Sequence, residues 1–121
     1  MNLRQIPKPL VVRPWGHFKN LWEEDNYLVK RIRIRAGKRL SLQKHKYRSE
    51  HWIVVDGEGV LRLNDHTVDA SPGVTLEIPC GAVHRAQAGA KDLIIVEVQF
   101  GTFLSVDDIE RLEDDYNRVA A

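Results

Sequence analysis

Residues 37–57, GKRLSLQKHKYRSEHWIVVDG, constrain the fold of this chain more than any other stretch of it. Gln43 and His45 are two positions apart, so in a β-strand their side chains point to the same face. Glu50 follows a short polar break, and residues 51–55 have the aromatic and β-branched composition of a returning strand. A hairpin of these two strands would bring the three side chains to one point.

A fourth side chain of this kind comes later, where residues 73–84 indicate a strand, a tight turn and then His84. Gln, His and Glu offer nitrogen and oxygen lone pairs, and such ligands on rigid strands suit a catalytic or substrate-binding metal better than a closed structural one. We therefore predict a divalent metal site on Gln43, His45, Glu50 and His84. Zinc is the first expectation, and manganese, iron, cobalt and nickel stay open.

Alternating apolar and polar residues between turn signals predict about seven short strands. Residues 92–100 are nearly all apolar, as in a buried strand, and Asn64-Asp65 indicates a hairpin turn. Glu97 interrupts the apolar run and needs a partner if it faces inward. We predict an all-β fold, a single double-sheet barrel of the jelly-roll kind, over residues 13–104.

The two ends of the chain have different patterns. Pro7 and Pro9 exclude a regular helix from residues 1–12, which we expect to form an arm along an edge strand or a partner subunit. Residues 105–121 carry a capping pair and then apolar residues three to four apart, which predicts a C-terminal helix packed on the barrel. The capping pair is Ser105 and Asp108, and the apolar stripe is Val106, Ile109, Leu112, Tyr116 and Val119.

The spacings G-x5-Q-x-H-x4-E-x6-G and G-x5-P-x-G-x2-H, at residues 37–57 and 73–84, resemble the two cupin motifs. Cupins usually have His where this chain has Gln43. Gln at that position, within LSLQ-x-H-x2-R-x-EHWIVV, resembles the cupin domain of type II mannose-6-phosphate isomerases, which is often fused behind a mannose-1-phosphate guanylyltransferase. The likeness runs from about residue 13 to 118 and includes the words RPWG, VKRI, IVEVQ and DDIER.

The resemblance implies a single cupin, or double-stranded β-helix, barrel and an isomerase that interconverts mannose 6-phosphate and fructose 6-phosphate in sugar-nucleotide and polysaccharide precursor synthesis. Arg48 and Arg111 lie in matching words, so the likeness implies that they contact the substrate phosphate or the oxyanion. Lys30 points to the apolar face of its strand, where its ammonium either grips an anion inside or reaches water from a packed stem. Arg85 is a further substrate-binding candidate, because guanidinium groups match phosphate geometry. The general base stays unassigned.

The sequence departs from the family words at two places near the C-terminus. Ser105-Val106 stands where the family has Gly-Glu, and Asn117 stands where it has Gly. A second hypothesis is therefore a non-catalytic cupin that binds a sugar or sugar phosphate and works beside a separate guanylyltransferase. A metal-dependent cupin oxygenase would use the same ligands and fits the family words less well. No Gly-rich nucleotide-binding loop is present, so guanylyltransferase activity is not expected.

Composition and charge limit the surroundings of the protein. The 121 residues include one Cys, which excludes an internal disulfide and favours a reducing compartment. No apolar run is long enough to cross a bilayer and no signal peptide is evident, so we expect a cytoplasmic protein without membrane contact. By analogy with cupins we also expect a homodimer.

The net charge of +1 hides an asymmetry along the chain. Residues 1–50 carry 13 Lys/Arg and 4 Asp/Glu, and the remainder is acidic. This pattern favours either a basic surface for an anionic ligand or two halves that neutralise each other in one barrel. Arg31, Arg33 and Arg35 alternate with isoleucines as in a half-buried strand, which argues against nucleic-acid binding.

Overall fold

The computed structural model describes residues 8–118, and eleven β-strands make up the regular secondary structure of that part of the chain. The predicted all-β class is confirmed. The strands are β1 (Val11–Arg13), β2 (Gly16–Glu23), β3 (Tyr27–Ile34), β4 (Leu42–Lys44), β5 (Ser49–Asp56), β6 (Gly59–Leu63), β7 (His66–Ala70), β8 (Thr75–Ile78), β9 (His84–Ala88), β10 (Leu93–Phe100) and β11 (Glu110–Glu113).

The strands form two antiparallel sheets that share one core. The larger sheet has the order β1-β2-β3-β10-β5-β8, and the smaller has the order β11-β4-β9-β6-β7. Ile34, Trp52 and Ile95 of the larger sheet and Leu61 and Ala86 of the smaller one belong to the same buried cluster. The predicted double sheet is therefore present, although no ladder of hydrogen bonds closes the two sheets into a barrel within residues 8–118.

Strand β10 lies in the middle of the larger sheet, between β3 and β5. From Leu93 to Gln99 its residues alternate between buried and half-buried, because each second side chain points into the core. One face of β10 is buried and the other is half-buried, which explains the nearly continuous apolar run that predicted a buried strand. The hairpin predicted at Asn64-Asp65 is also confirmed, since it joins β6 to β7 with Asn64 at a φ of 52°.

The predicted hairpin between the strand of Gln43 and the strand of Glu50 is wrong. Strand β4 pairs with β9 and β11, whereas β5 pairs with β10 and β8 in the other sheet. The connection crosses between the sheets, and the Asp108 carboxylate accepts the backbone N–H groups of Lys46 and Tyr47, both at 2.9 Å. These N–H groups are therefore satisfied without a hairpin turn.

The predicted C-terminal helix is also wrong over the residues that the structure describes. Residues 110–113 form β11, which pairs with β4 and satisfies backbone groups that β4 would otherwise present at a sheet edge. The apolar residues at helical spacing do not share one buried face, because Val106 and Leu112 are exposed while Tyr116 packs on the core. Tertiary pairing has overridden the local helical pattern. Val119 of the predicted stripe lies outside the described residues.

The predicted arm of residues 1–12 is described only from residue 8. Within it, Val11 and Val12 belong to β1, which pairs with β2 at the edge of the larger sheet. Most of the predicted arm lies outside the described residues, so its course along an edge strand or a partner subunit stays a prediction. The homodimer stays a prediction. No helix in residues 8–118 is long and apolar enough to span a membrane.

Candidate functional site

His45, Glu50 and His84 form a compact buried cluster between the two sheets. Glu50 lies on β5, His84 lies on β9, and His45 follows β4 directly. The Glu50 Oε2 atom is 3.2 Å from His45 Nε2, and Glu50 Oε1 is 3.6 Å from His84 Nε2. One potential ligand atom from each residue lies within 4.8 Å of the other two, as a group that holds a metal ion requires.

Both imidazoles are oriented by backbone carbonyls on their far side. The Nδ1–H of His45 donates to the Asp108 carbonyl at 2.6 Å, and the Nδ1–H of His84 donates to the Ala82 carbonyl at 2.9 Å. A carbonyl oxygen only accepts, so Nδ1 carries the proton and each Nε2 presents a lone pair to the cluster. Metal-binding histidines typically have this second hydrogen bond, which fixes the tautomer and the ring orientation.

Burial keeps the two histidines neutral. Desolvation lowers the pKa of His45 to about 4, helped by the nearby positive charge of Arg48, and desolvation also lowers the pKa of His84. Metal ions bind the neutral imidazole. The Nε2 atom of His84 is buried and has no hydrogen-bond partner among residues 8–118. A buried nitrogen lone pair without a donor fits a metal ligand, so the residues present suit a divalent cation.

Gln43 lies beside this cluster, as the sequence predicted. It is the cross-strand partner of His84, with β4 paired to β9. Its Nε2 atom is 3.4 Å from His45 Nε2, and its Oε1 atom accepts a hydrogen bond from the Ser41 hydroxyl at 2.7 Å. A half-turn of the amide would exchange the two atoms and direct the oxygen to the cluster. The structure thus brings all four predicted ligands together.

Arg48 contacts both the cluster and an adjoining cavity. Its Nε donates to Glu50 Oε2 at 2.7 Å, and its Nη2 is 3.3 Å from His45 Nε2. Its Nη1 donates to the Ser105 carbonyl at 3.0 Å. The guanidinium therefore lies where it can compensate the Glu50 charge and also reach a molecule in the cavity.

The cavity has a volume of about 430 Å³, and most of the polar side chains in its lining are basic. This volume suits a small ligand. Five cationic side chains face two acidic ones, so the cavity favours an anion. The cations are Arg13, Lys30, Arg48, Arg111 and Arg118, and the acids are Glu97 and Asp107.

Lys30 and Glu97 occupy the inner wall as direct cross-strand partners on β3 and β10. The inward orientation predicted for Lys30 is confirmed, and its ammonium lies 4.2 Å from the centre of the Phe18 ring. Desolvation lowers the pKa of Lys30, although Glu97 opposes the shift. Burial and the neighbouring Glu50 charge raise the pKa of Glu97 to about 7.

The partner that the sequence required for Glu97 is a pair of buried donors. Trp52 Nε1–H donates to Glu97 Oε1 at 2.8 Å and is 3.1 Å from Glu50 Oε1, and Gln99 Nε2 donates to Glu97 Oε2 at 2.8 Å. Trp52 also packs edge-on against the His84 ring. This network fixes the orientation of the two carboxylates.

The structure brings Arg111 into the cavity wall and leaves Arg85 out of it. Arg111 lies on β11 opposite Gln43. Arg85 follows the inward-facing His84 on β9, so its side chain points to the other face, where Nε donates to the Leu40 carbonyl at 3.0 Å and Nη1 is 3.7 Å from Glu113. Arg85 is not among the described residues that line the cavity, and the substrate contact expected of it has no support in this geometry.

Sequence reasoning missed Arg13 and Arg118 as parts of the wall. Arg13 lies in the word RPWG, and Arg118 ends a C-terminal word that the family shares. Those words marked the positions as notable, but nothing in them indicated that Arg13 and Arg118 line one cavity.

Comparison with known proteins places these features in a family context. Residues 5–114 match the family model described as mannose-6-phosphate isomerase C-terminal. The chain is 45% identical over 111 residues to the alginate biosynthesis protein AlgA of Pseudomonas aeruginosa, and 39% identical over 108 residues to a mannose-1-phosphate guanylyltransferase of Sinorhizobium fredii. The matches cover 91% and 88% of this chain but only 23% and 21% of those relatives.

Solved structures agree on the fold. Oxalate decarboxylase from Bacillus subtilis has a TM-score of 0.78 at 17% identity, covering 87% of this chain and 30% of that one. The capsular polysaccharide assembling protein CapF from Staphylococcus aureus has a TM-score of 0.75 at 22% identity, covering 89% of this chain and 35% of that one. At these identities the likeness extends to the cupin-like fold and no further.

Proposed function

The chain belongs to the family of mannose-6-phosphate isomerase C-terminal domains, and on that basis we propose that it is a metal-dependent aldose–ketose isomerase acting on mannose 6-phosphate and fructose 6-phosphate. The observation that carries the proposal is the joining of two features at one place. A buried His45–Glu50–His84 cluster lies directly behind a basic cavity of about 430 Å³, and Arg48 contacts both. A metal-dependent isomerase for a phosphorylated sugar needs this combination.

The reaction is an internal proton transfer that needs no oxidant. From aldose to ketose, one proton leaves C2 and one is delivered to C1, while the hydroxyl proton on the C2 oxygen is lost and the C1 oxygen gains one. Negative charge builds on the two oxygens in between, so catalysis requires groups that stabilise it. The chemistry that a divalent cation on Gln43, His45, Glu50 and His84 supplies is stabilisation of that charge.

The chain's own side chains have defined parts in this proposal. Arg48 is held by Glu50 and Ser105 so that its guanidinium faces the cavity, where it can donate to a substrate oxygen. Lys30 provides a second positive charge in the cavity lining. The half-closed cavity removes bulk water from one side of the sugar, which strengthens both interactions. The group that takes the C2 proton stays unassigned.

The test is a coupled assay for conversion of fructose 6-phosphate to mannose 6-phosphate with zinc-loaded protein, repeated with manganese, iron, cobalt and nickel. The matched control is the Gln43→Ala, His45→Ala double variant, with its metal content measured in parallel. Turnover by the wild type that the metal-free double variant lacks is the expected result. Wild-type protein that holds metal and gives no turnover with any of these metals would refute the isomerase proposal.

A second function has one observation in its favour. Val106 lines the cavity at the position where the family words have Glu, so an isopropyl group replaces a carboxylate at the site. A non-catalytic module that binds a sugar phosphate beside a separate guanylyltransferase would tolerate this change. Binding of fructose 6-phosphate in a calorimetric titration, with no turnover in the assay above, would favour that function.

A further inference from the structure

The five cations of the cavity fall into two groups according to their place in the fold. Arg48 and Lys30, the inner cations, lie beside Glu50 and Glu97, the two carboxylates of the buried network. Arg13, Arg111 and Arg118 form the second group, which we call the outer arginines. They come from β1, from β11 and from the turn that follows β11.

Arg111 is the centre of the outer group. Desolvation lowers the pKa of its guanidinium, and the charge of Arg118 acts in the same direction, as does that of Arg13. Its Nε atom is buried and has no hydrogen-bond partner among residues 8–118. A buried charged donor without an acceptor is costly, and a bound anion would remove that cost.

Arg13 also lacks a carboxylate partner within the described part of the chain. Its Nη1 donates to the carbonyl of its neighbour Val12 at 3.1 Å, and its guanidinium lies 5.3 Å from the centre of the Phe18 ring. Neither contact neutralises the charge. The guanidinium is therefore available to a ligand of the opposite sign.

Arg118 is held in place rather than neutralised on all sides. Asp114 accepts two hydrogen bonds from its guanidinium, from Nε at 2.8 Å and from Nη2 at 3.0 Å, and a third from its backbone N–H at 2.7 Å. Asp114 therefore fixes the orientation of the Arg118 guanidinium. Within the described residues, the Nη1 atom of Arg118 has no acceptor. A side chain that is already ordered loses less conformational entropy when it binds a ligand.

We propose that Arg13, Arg111 and Arg118 form a clamp for a phosphate monoester dianion. Guanidinium forks match the tetrahedral oxygens of phosphate and bind it through charge-assisted hydrogen bonds. Arg111 stands opposite Gln43, so the clamp adjoins the metal cluster along one row of the smaller sheet. A sugar phosphate would lie with its phosphate against the outer arginines and its C1–C2 end against Gln43 and Arg48. This orientation rests on the isomerase proposal, whereas the phosphate site itself does not.

The experiment measures binding to protein freed of metal by a chelator, so that it does not depend on catalysis. Isothermal titration with fructose 6-phosphate, fructose and inorganic phosphate is run on the wild type and on Arg13→Gln and Arg118→Gln. Arg31→Gln is the matched control, because Arg31 is exposed on the outer face of the larger sheet. Arg118→Lys keeps the charge and removes the fork, and urea unfolding of every variant identifies any that are not folded.

We expect Arg13→Gln and Arg118→Gln each to raise the Kd for fructose 6-phosphate at least tenfold, with a smaller rise for Arg118→Lys and none for Arg31→Gln. Fructose is expected to bind far more weakly than its phosphate. Equal Kd values in the folded clamp variants and in Arg31→Gln would overturn the clamp. So would fructose that binds as tightly as fructose 6-phosphate.

The two proposals fail in distinguishable ways. A phosphate-dependent Kd that is lost in the clamp variants, together with no turnover by metal-loaded protein, would retain the clamp and remove the isomerase. Turnover whose KM is unchanged in Arg13→Gln and Arg118→Gln would retain the isomerase and remove the clamp.

Discussion

Gln43 and Arg111 are direct cross-strand partners on β4 and β11, although the six strands from β5 to β10 lie between them in the sequence. His84 lies on the other side of Gln43 in the same sheet. His84 and Gln43, two predicted metal ligands, and Arg111, a predicted phosphate contact, therefore follow one another along a single row. Neighbouring side chains of such a row are about 5 Å apart. The pairing of β11 thus connects the His45–Glu50–His84 cluster, through Gln43, to the basic wall of the cavity.

The position of Gln43 in this row predicts the effect of replacing it. We expect Gln43→Ala to weaken zinc binding by about tenfold or more, because one of four ligands is lost, while Gln43→His restores binding through an imidazole. The matched control is Gln87→Ala, since Gln87 is exposed on β9. Zinc affinity is measured by competition with a chromogenic chelator. Equal affinities for Gln43→Ala and the control would exclude Gln43 from the ligand set.

His84 provides a sharper test of the cluster itself. His84→Ala removes an inward Nε2 lone pair, so we expect zinc affinity to fall by more than the roughly 10–100-fold typical of residues that only support a ligand. His66→Ala is the control, because His66 begins the exposed strand β7. Metal content after dialysis, measured by mass spectrometry, compares the two variants. Zinc retained by His84→Ala at the wild-type level would contradict the site.

Much of this site was predictable because strands convert short sequence spacing into direction. Gln43 and His45 lie two apart, and the alternation around Lys30 placed its side chain inside correctly. Sequence reasoning brought His45, Glu50 and His84 together correctly, although the predicted β4–β5 hairpin is wrong. Residues brought to the interior from opposing sheets meet there as readily as residues of one hairpin.

The rest depended on pairings that local sequence does not specify. The apolar residues at three-to-four spacing from Val106 to Tyr116 are consistent with a helix, yet β4 offers backbone donors and acceptors that a strand satisfies. The prediction for Arg85 failed for a different reason. Adjacent side chains of a strand point to opposite faces, so Arg85 points away from the cavity because His84 points inward. Arg13 and Arg118 are 105 positions apart and line the same cavity only because the fold brings β1 and the turn after β11 to it.

Trp52 Nε1–H is shared by Glu50 and Glu97, so we expect replacement of Trp52 to lower the free energy of unfolding more than replacement of Trp22. Trp52→Phe keeps an aromatic ring but removes the buried N–H, and leaving a buried carboxylate short of a donor costs about 1–3 kcal/mol of unfolding free energy. Trp22→Phe, the control, removes a surface hydrogen bond to Glu24 and is expected to cost less than about 0.5 kcal/mol. Urea denaturation measures both, and similar losses would mean that the buried network contributes little.

Asp92 predicts how stability depends on pH. Its carboxylate accepts hydrogen bonds from the Ala36 N–H and from Arg33 Nε, both at 2.8 Å, and these lower its pKa below the ordinary 3.8. The unfolded state therefore binds the proton more readily, so the stabilisation is complete above about pH 5 and is lost as pH falls through the folded-state pKa. We expect Asp92→Asn to destabilise the protein at pH 7 and to approach the wild type at pH 3.

The same urea titrations on Asp69→Asn provide the reference for Asp92. Asp69 is exposed on β7 and forms no recorded side-chain hydrogen bond in the described chain, so its replacement is expected to change little at either pH. A loss of stability in Asp92→Asn that is the same at pH 3 as at pH 7 would show that the carboxylate charge is not its source.

Val106 separates the two proposed functions. It is 61% exposed and lines the cavity, so replacing it with Glu restores the family's carboxylate at little structural cost, within about 0.5 kcal/mol. A carboxylate there would face several cations and could exchange protons with a bound sugar. We expect Val106→Glu to raise kcat/KM for isomerisation at least about tenfold, short of the roughly 10²–10⁴ that a well-placed acid–base group supplies.

The control for this change is Val68→Glu, an exposed valine on β7 that does not line the cavity within the described residues. It adds the same charge to the protein without adding it to the site. The coupled isomerase assay compares both variants with the wild type. A gain confined to Val106→Glu would identify residue 106 as the position that limits catalysis in this chain. Unchanged or lower kcat/KM in Val106→Glu would contradict this role of residue 106. With measurable wild-type turnover, that result would mean that the existing side chains already supply the proton transfer. Without wild-type turnover, it would mean that the cavity only binds its ligand.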